Sequence, residues 1–154
     1  MDQSTIIGII VVVFLLVCSG LVSASETGFF GLSAGDKEKI RKAKTAKGKL
    51  IAKLLSNPEK LLATILVANN FINIAIVIIT AFLSDRIFAS IDSPVLVIVL
   101  QTVVVTFIIL LFGEMIPKIF AAKYPLSISK FMAYPLWILE PLCFPFSIIL
   151  VKST

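Results

Sequence analysis

Three asparagines, Asn69, Asn70 and Asn73, lie within five positions of an otherwise apolar stretch, residues 61–84. The stretch has no charged residue and is long enough to cross a hydrocarbon core of roughly 30 Å. An amide without a hydrogen-bonding partner in lipid costs a few kcal/mol. We therefore expect polar partners from elsewhere in the chain. Asn69 and Asn73 share one helix face because they are four residues apart, whereas Asn70 is turned about 100° away.

A carboxylate, Glu114, lies near the end of a second apolar run, in the sequence Gly-Glu-x-x-Pro at positions 113–117. A charge within a membrane span costs several kcal/mol unless it is compensated. Pro117 clashes with the Gly113 carbonyl and leaves that oxygen without its helical donor. Broken helices at membrane depth are tolerated around a cavity or a bound ion. The sequence thus predicts one carboxylate and a freed carbonyl at one place.

The first apolar run contributes hydroxyls. Ser19, Ser23 and Glu26 fall within roughly 60° of one another on one helix face, while Ser25 points elsewhere. At a rise of 1.5 Å per residue, the polar positions of all three runs can meet between the membrane midplane and the cytoplasmic face. That meeting point predicts an all-oxygen site formed by Ser19, Ser23, Asn69, Asn73, Gly113 and Glu114.

Hydroxyl, amide, carbonyl and carboxylate oxygens are ligands suited to Mg²⁺ or Ca²⁺. A single carboxylate predicts weak binding, as a transporter needs if it is to release its ion. The alternative is that these groups only hold helices together, at about 0.6 kcal/mol per bond. Three amides, an acid and a proline break at compatible depth favour the ion site.

The elements that position these residues are transmembrane helices. The chain has 154 residues, of which 58% are hydrophobic, above the 45–50% or so of soluble domains. We predict an all-α integral membrane domain over residues 1–154, with spans at about 4–33, 59–84 and 94–116. Asn57-Pro58 and Ser93-Pro94 are expected to start the second and third spans.

Eight of the 14 Lys and Arg residues lie between Lys37 and Lys53. The positive-inside rule makes this connector cytoplasmic and the amino terminus external. Leu50, Ile51, Leu54 and Leu55 recur at helical spacing, which predicts an amphipathic helix within about 36–56 on the cytoplasmic leaflet. Residues 124–152 are apolar but interrupted by prolines, so we expect bent interfacial helices there, anchored by Tyr134 and Trp137. A fourth straight span is the alternative.

Several functions are excluded or disfavoured. The chain has no histidine, which removes Ser-His and Cys-His catalysis and the commonest ligand of zinc, copper and iron. We do not expect an enzyme. The basic cluster lacks interleaved aromatics, which disfavours nucleic-acid binding. Cys18 and Cys143 are predicted to be buried small hydrophobes. A cleaved signal peptide is the alternative for the first span, but its amino-terminal region would be acidic, through Asp2.

Three ordered motifs resemble a known family: Ser-Ala-Ser-Glu-Thr at 23–27, Asn-Asn-x-x-Asn at 69–73 and Gly-Glu-x-x-Pro at 113–117. They are similar to the DUF21 transmembrane domain of the CorC and CNNM magnesium transporters. The resemblance implies three spans, cytoplasmic juxtamembrane helices, a homodimer, a central Mg²⁺ site and sodium-coupled Mg²⁺ export. By motif, the ligands would be Ser23 or Ser19, Asn69, Asn73, Glu114 and the Gly113 carbonyl.

The resemblance also implies cytoplasmic CBS domains in a longer full-length chain. We therefore expect a multi-pass protein of the inner or plasma membrane that moves Mg²⁺, and the resemblance implies Na⁺ as a second ion. The main rival is a membrane scaffold or assembly subunit that moves no ion and whose buried polar residues hold helices together. An intramembrane enzyme is disfavoured by the missing histidine and the lack of paired acids.

Overall fold

A computed structural model describes residues 3–153, apart from the side chains at positions 144, 146–148, 150, 151 and 153. Within these residues the regular structure is helical, which confirms the all-α prediction. The helices are α1 (Gln3–Phe30), α2 (Ala34–Ala43), α3 (Ala46–Leu55), α4 (Pro58–Ile87), α5 (Pro94–Leu110), α6 (Ile116–Lys123) and α7 (Pro125–Ser153). Asp2, which argued against a signal peptide, lies outside the described residues.

Among the fully described residues, three helical segments are long and apolar enough to cross a membrane: Gln3–Phe30, Pro58–Ile87 and Pro94–Lys123. The prediction of three spans is confirmed. The third span joins α5 to α6 through a π-helical turn at Leu111–Met115. It is therefore longer than predicted and remains helical past Pro117.

The predicted starts of the second and third spans are correct. The Asn57 side chain accepts a hydrogen bond from the Lys60 N–H at 3.2 Å, with Pro58 in the first turn. Ser93 accepts from the Leu96 N–H at 3.3 Å in the same way, ahead of Pro94. Each cap satisfies a backbone donor that the first helical turn leaves unpaired.

The predicted end of the first span was three residues too late. Helix α1 ends at Phe30, and Ser33 instead caps α2. The Ser33 hydroxyl accepts from the Asp36 N–H at 3.1 Å, and the Ser33 N–H donates to the Asp36 carboxylate at 3.2 Å. This reciprocal capping box favours a new helix start over continuation of α1.

The basic connector forms a hairpin of two short helices, α2 and α3, where the sequence suggested one amphipathic helix. Lys44 takes a left-handed conformation (φ 52°) that ends α2, and Thr45 caps α3 by accepting from the Gly48 N–H at 3.0 Å. A Cβ at Gly48 would lie 2.9 Å from Ile40 Cγ2, so glycine permits the close approach of the two helices. Ile51 and Leu54, on the predicted apolar face, are buried in the protein core.

Helix α7 is a single helical segment that contains Pro135, Pro141 and Pro145 and packs against α1, α3 and α4. A Cβ at Gly28 would lie 2.8 Å from Ile128 Cγ2, which shows how closely α1 and α7 approach. Its location at the interface remains a prediction.

The main core lies between α1, α3, α4 and α7, where the most deeply buried large side chains are Phe29, Ile51, Leu54, Leu61, Ile65 and Leu136. Cys143 belongs to this core, and Cys18 is half-buried; both are free thiols. The core therefore sits at the end of the molecule where α1 leads into the basic connector and α4 leaves it.

One buried hydroxyl in α7 gives a stability prediction. Ser129 is fully buried and its Oγ has no hydrogen-bonding partner. We expect Ser129→Ala to raise the free energy of unfolding by about 1 kcal/mol, because it removes an unsatisfied polar group. The midpoint of thermal unfolding in detergent measures this change.

Ser25→Ala is the matched control, because the Ser25 hydroxyl is equally buried but donates to the Val22 carbonyl at 2.6 Å. We expect no gain in stability there. If Ser129→Ala lowered the free energy of unfolding as much as Ser25→Ala does, the assignment of an unpaired hydroxyl would be contradicted.

Candidate metal centre between the membrane helices

Four of the six predicted ligands meet where α1 packs against α4. Ser19 Oγ lies 3.0 Å from Asn69 Oδ1 and 2.8 Å from Asn73 Oδ1. Ser23 Oγ lies 3.4 Å from Asn69 Oδ1. Both serines are buried and both asparagines are half-buried. The predicted shared face of Asn69 and Asn73 is therefore present, while Asn70 is exposed on another side of α4.

The chemistry of this cluster is unbalanced in favour of acceptors. Ser19 donates to Asn73 Oδ1 at 2.8 Å, and Ser23 donates to Asn69 Oδ1 at 3.4 Å. Two hydroxyl protons therefore face two amide oxygens that have four lone pairs between them. A cation placed among the three oxygens would satisfy all of them, because each has lone pairs available.

The spacing of the oxygens also fits a small divalent ion. Mg²⁺ holds its ligands in an octahedron at 2.0–2.1 Å, so neighbouring ligand oxygens are about 3.0 Å apart. Ser19 Oγ has this separation from both amide oxygens. The Ser23 hydroxyl lies farther from the amide oxygens, because its distance to Asn69 Oδ1 is 3.4 Å. The geometry therefore brings Ser19 into the centre and Ser23 to its edge.

The third span approaches the same place through its π-helical turn. A Cβ at Gly113 would lie 3.1 Å from Ser19 Oγ, so this glycine packs directly against the hydroxyl. On α1, a Cβ at Gly20 would lie 3.0 Å from Pro117 Cγ and 3.3 Å from the Phe112 carbonyl oxygen. The absence of side chains at Gly20 and Gly113 lets the two backbones approach closely at the cluster.

The π-helical turn changes which carbonyls are free. The Ile116 N–H donates to the Leu111 carbonyl, five residues back, and not to Phe112. Pro117 has no N–H to give to Gly113. The carbonyls of both Phe112 and Gly113 therefore lack the donor that an α-helix would supply. The sequence predicted a freed carbonyl at Gly113 alone. The structure adds the Phe112 carbonyl, because the sequence did not indicate a π-helical turn.

Glu114 follows Gly113 in the same turn and is half-buried. Across residues 3–153, the structure shows no hydrogen bond or ion pair made by its carboxylate. Nor do three acidic, histidine or cysteine side chains gather as a metal cluster anywhere in that range. The cluster in the structure therefore consists of neutral oxygens, and no hydrogen bond joins the predicted ligand Glu114 to it.

Glu26 was predicted on the same face as the serines, and it lies beside Lys118 of α6 at 3.7 Å. Both side chains are partly exposed, so this ion pair is weak. It links the connector-side ends of α1 and the third span. The sequence gave no reason to pair these two residues.

An apolar layer follows the oxygen cluster along α4, in the direction of the carboxyl-terminal end of that helix. Ile76, Val105 and Ile109 form a buried cluster between α4 and α5. Beyond it, Gln101 Nε2 donates to Thr80 Oγ1 at 3.4 Å. Asn69, Asn73, Ile76 and Thr80 fall within roughly 60° on one face of α4. One helix face therefore presents polar, apolar and polar groups in succession.

The fold and these polar groups define a multi-pass helical membrane protein with an oxygen-rich centre between its spans. The chain matches the family described as "Cyclin M transmembrane N-terminal domain" over residues 10–154. It therefore belongs to the cyclin M (DUF21) transmembrane domain family, as the three sequence motifs suggested.

Two curated relatives are bacterial. The chain is 33% identical over 124 residues to "UPF0053 inner membrane protein YfjD" of Escherichia coli K12, a match that covers 79% of this chain and 28% of that protein. It is 31% identical over 136 residues to a "UPF0053 protein" of Haemophilus influenzae, covering 88% of this chain and 31% of the relative. The chain thus spans about three tenths of the length of these relatives.

Proposed function

We propose that this chain is the membrane domain of a Mg²⁺ transporter, which exports Mg²⁺ by alternating access with Na⁺ as the coupling ion. The observation that carries the proposal is the pair of amide oxygens turned toward one serine hydroxyl. With the Ser23 hydroxyl included, two protons face four amide lone pairs, and a hard cation would use the lone pairs that remain. The ion is cargo, bound and released by oxygens, and no catalytic step is required.

The ligands in this proposal are those predicted from the sequence. Ser19, Asn69 and Asn73 supply the central oxygens, and Ser23 lies at the edge. Gly113 contributes its carbonyl, and Glu114 supplies the charge that attracts the cation. The Phe112 carbonyl is added from the structure as a further acceptor. With a single carboxylate the binding is weak, which allows release on the far side of the membrane.

The apolar layer of Ile76, Val105 and Ile109 supplies the external closure in this proposal. It lies between the oxygen cluster and the Thr80–Gln101 pair. A dehydrated or partly hydrated cation does not cross packed aliphatic side chains, so the layer must separate for release. Motion of α5 against α4 would open it, because these two helices contribute its members.

Three finer features of the proposal come from the family resemblance. The chain forms a homodimer, and only 11% of the most apolar part of the third span is buried within one chain, which leaves surface for a second copy. Sodium uses the same or neighbouring oxygens. The full-length protein carries cytoplasmic CBS domains, consistent with the greater length of the relatives.

The rival is a scaffold whose polar residues hold helices together. The two accounts differ in the response to Mg²⁺, because an ion that binds only the folded state stabilises it by about 2.7 kcal/mol at 100 times its Kd. A scaffold would show no such dependence. In that case the folded chain would be as stable in a chelator as in Mg²⁺.

The experiment measures Mg²⁺ efflux from proteoliposomes that contain the purified chain, with an inward Na⁺ gradient. We expect efflux above that of protein-free vesicles, and slower efflux when choline replaces Na⁺. A thermal unfolding titration with Mg²⁺ on the same preparation is the companion measurement. Efflux equal to that of empty vesicles, with no Mg²⁺-dependent stabilisation, would favour the scaffold.

A further inference from the structure

A half-open groove of about 510 Å³ lies in the α2–α3 hairpin, and none of its lining residues belongs to the oxygen cluster. Its floor is apolar and comes from both helices, through Ile40, Ile51, Ala52 and Leu55. Ile40 and Ile51 belong to the buried core, whereas Ala52 is exposed. The groove therefore offers aliphatic surface that is continuous with the core of the protein.

Four cationic side chains border this floor: Lys37, Arg41, Lys44 and Lys49. All four are exposed. Arg41 is paired with Glu38, whose carboxylate raises the pKa of the guanidinium. The three lysines remain as the positive rim. An apolar floor with a cationic rim is complementary to a molecule that has an aliphatic part and an anionic head.

The conformation of Lys44 supports a role for its side chain. It is the one non-glycine residue with a positive φ in the described chain, at 52°. Glycine or asparagine is usual at such a helix end, because other residues are strained there. A lysine at this position keeps a charge at the rim at some cost to the backbone.

The hairpin is held at the membrane surface from both sides. Helix α2 begins four residues after the first span ends at Phe30, and α3 ends three residues before the second span begins at Pro58. The groove therefore lies near the level of lipid headgroups, where anionic lipids attract basic residues. A soluble anion would have no use for the apolar floor.

We propose that this groove binds one anionic phospholipid. The phosphate is held by Lys37, Lys44 and Lys49, and the upper part of an acyl chain lies on the floor at Ala52 and Leu55. Occupancy would fix the hairpin to the membrane at the ends of the first two spans. This inference is independent of the ion that the membrane centre binds, because the groove and the centre share no residue.

Native mass spectrometry of the purified full chain in detergent tests the proposal, with phosphatidylglycerol or phosphatidylcholine of the same acyl chains added. We expect one phosphatidylglycerol to be retained in preference to phosphatidylcholine. The variant K37Q/K44Q/K49Q removes the three rim charges and should weaken this retention by about 100-fold. The matched control removes three exposed charges of the same connector that do not border the groove, in the variant K39Q/K42Q/K47Q.

A second variant tests the apolar floor without changing charge. Ala52→Trp fills the groove and is expected to abolish the preferential retention, while added inorganic phosphate is expected not to displace the lipid. Equal loss in the two triple variants, or full retention in Ala52→Trp, would show diffuse electrostatic attraction and overturn the proposal. Displacement by phosphate, or no preference for phosphatidylglycerol in the wild type, would also overturn it.

Discussion

Asn73→Ala is expected to abolish Mg²⁺ efflux and to weaken Mg²⁺ binding by about 100-fold, the upper end of what changes around a metal site cost. The Asn73 amide oxygen is the one closest to Ser19 Oγ, at 2.8 Å. Its removal takes away one ligand oxygen and leaves an apolar methyl group in its place. Efflux from proteoliposomes and equilibrium Mg²⁺ binding measure the two effects.

Asn70→Ala is the matched control for this change. It removes the same amide from the same helix, three residues away, but Asn70 is exposed and lies outside the cluster. We expect Mg²⁺ binding within about two-fold of the wild type. If the two alanine variants lose binding equally, the cluster is not the ion site.

Stability without Mg²⁺ separates a ligand from a structural amide. In the ion-site account, the Ser19 hydroxyl of Asn73→Ala still donates to Asn69, so the chain in a chelator should unfold near the wild-type temperature. In the scaffold account it removes a stabilising hydrogen bond of about 0.6 kcal/mol. A lower midpoint in the chelator, together with no response of the wild type to Mg²⁺, would support the scaffold.

Glu114→Gln is the second change with a large expected effect. It keeps the size of the side chain and removes the single negative charge that the proposed site contains. We expect efflux to stop and Mg²⁺ binding to fall by about 100-fold, because neutral oxygens alone compensate a divalent charge poorly. Glu114→Asp retains the charge on a shorter side chain and is expected to keep part of the binding.

Glu59→Gln is the control for loss of a carboxylate. Glu59 is exposed in the first turn of α4, at the start of the second span. We expect unchanged efflux from this variant. Wild-type efflux from Glu114→Gln would remove Glu114 from the site, whatever the control shows.

Much of the fold could be predicted because local signals and helical periodicity agree. The caps at Asn57 and Ser93 identified two helix starts. The four-residue spacings of Ser19 with Ser23, and of Asn69 with Asn73, predicted which side chains would face each other. These predictions need only the geometry of single helices and a bilayer that forces polar groups together.

What could not be predicted depends on contacts between helices or on a changed backbone pattern. The π-helical turn involves the choice of the Ile116 N–H between two carbonyls, which the sequence does not determine. The pairing of Gln101 with Thr80 depends on how α5 packs on α4. The division of the connector into two helices could be predicted in part, because Thr45 is a good helix cap. The end of α2 at Lys44 could not, because a lysine does not signal a left-handed turn.

The most direct test of the ion site is a crystal structure of the chain with Mn²⁺ in place of Mg²⁺, located by its anomalous scattering. We expect one peak between α1, α4 and the π-helical turn, within about 2.5 Å of both amide oxygens and a serine hydroxyl. A cluster without a peak in a crystal that has Mn²⁺ bound elsewhere, with amide nitrogens turned to Ser19, would contradict the account.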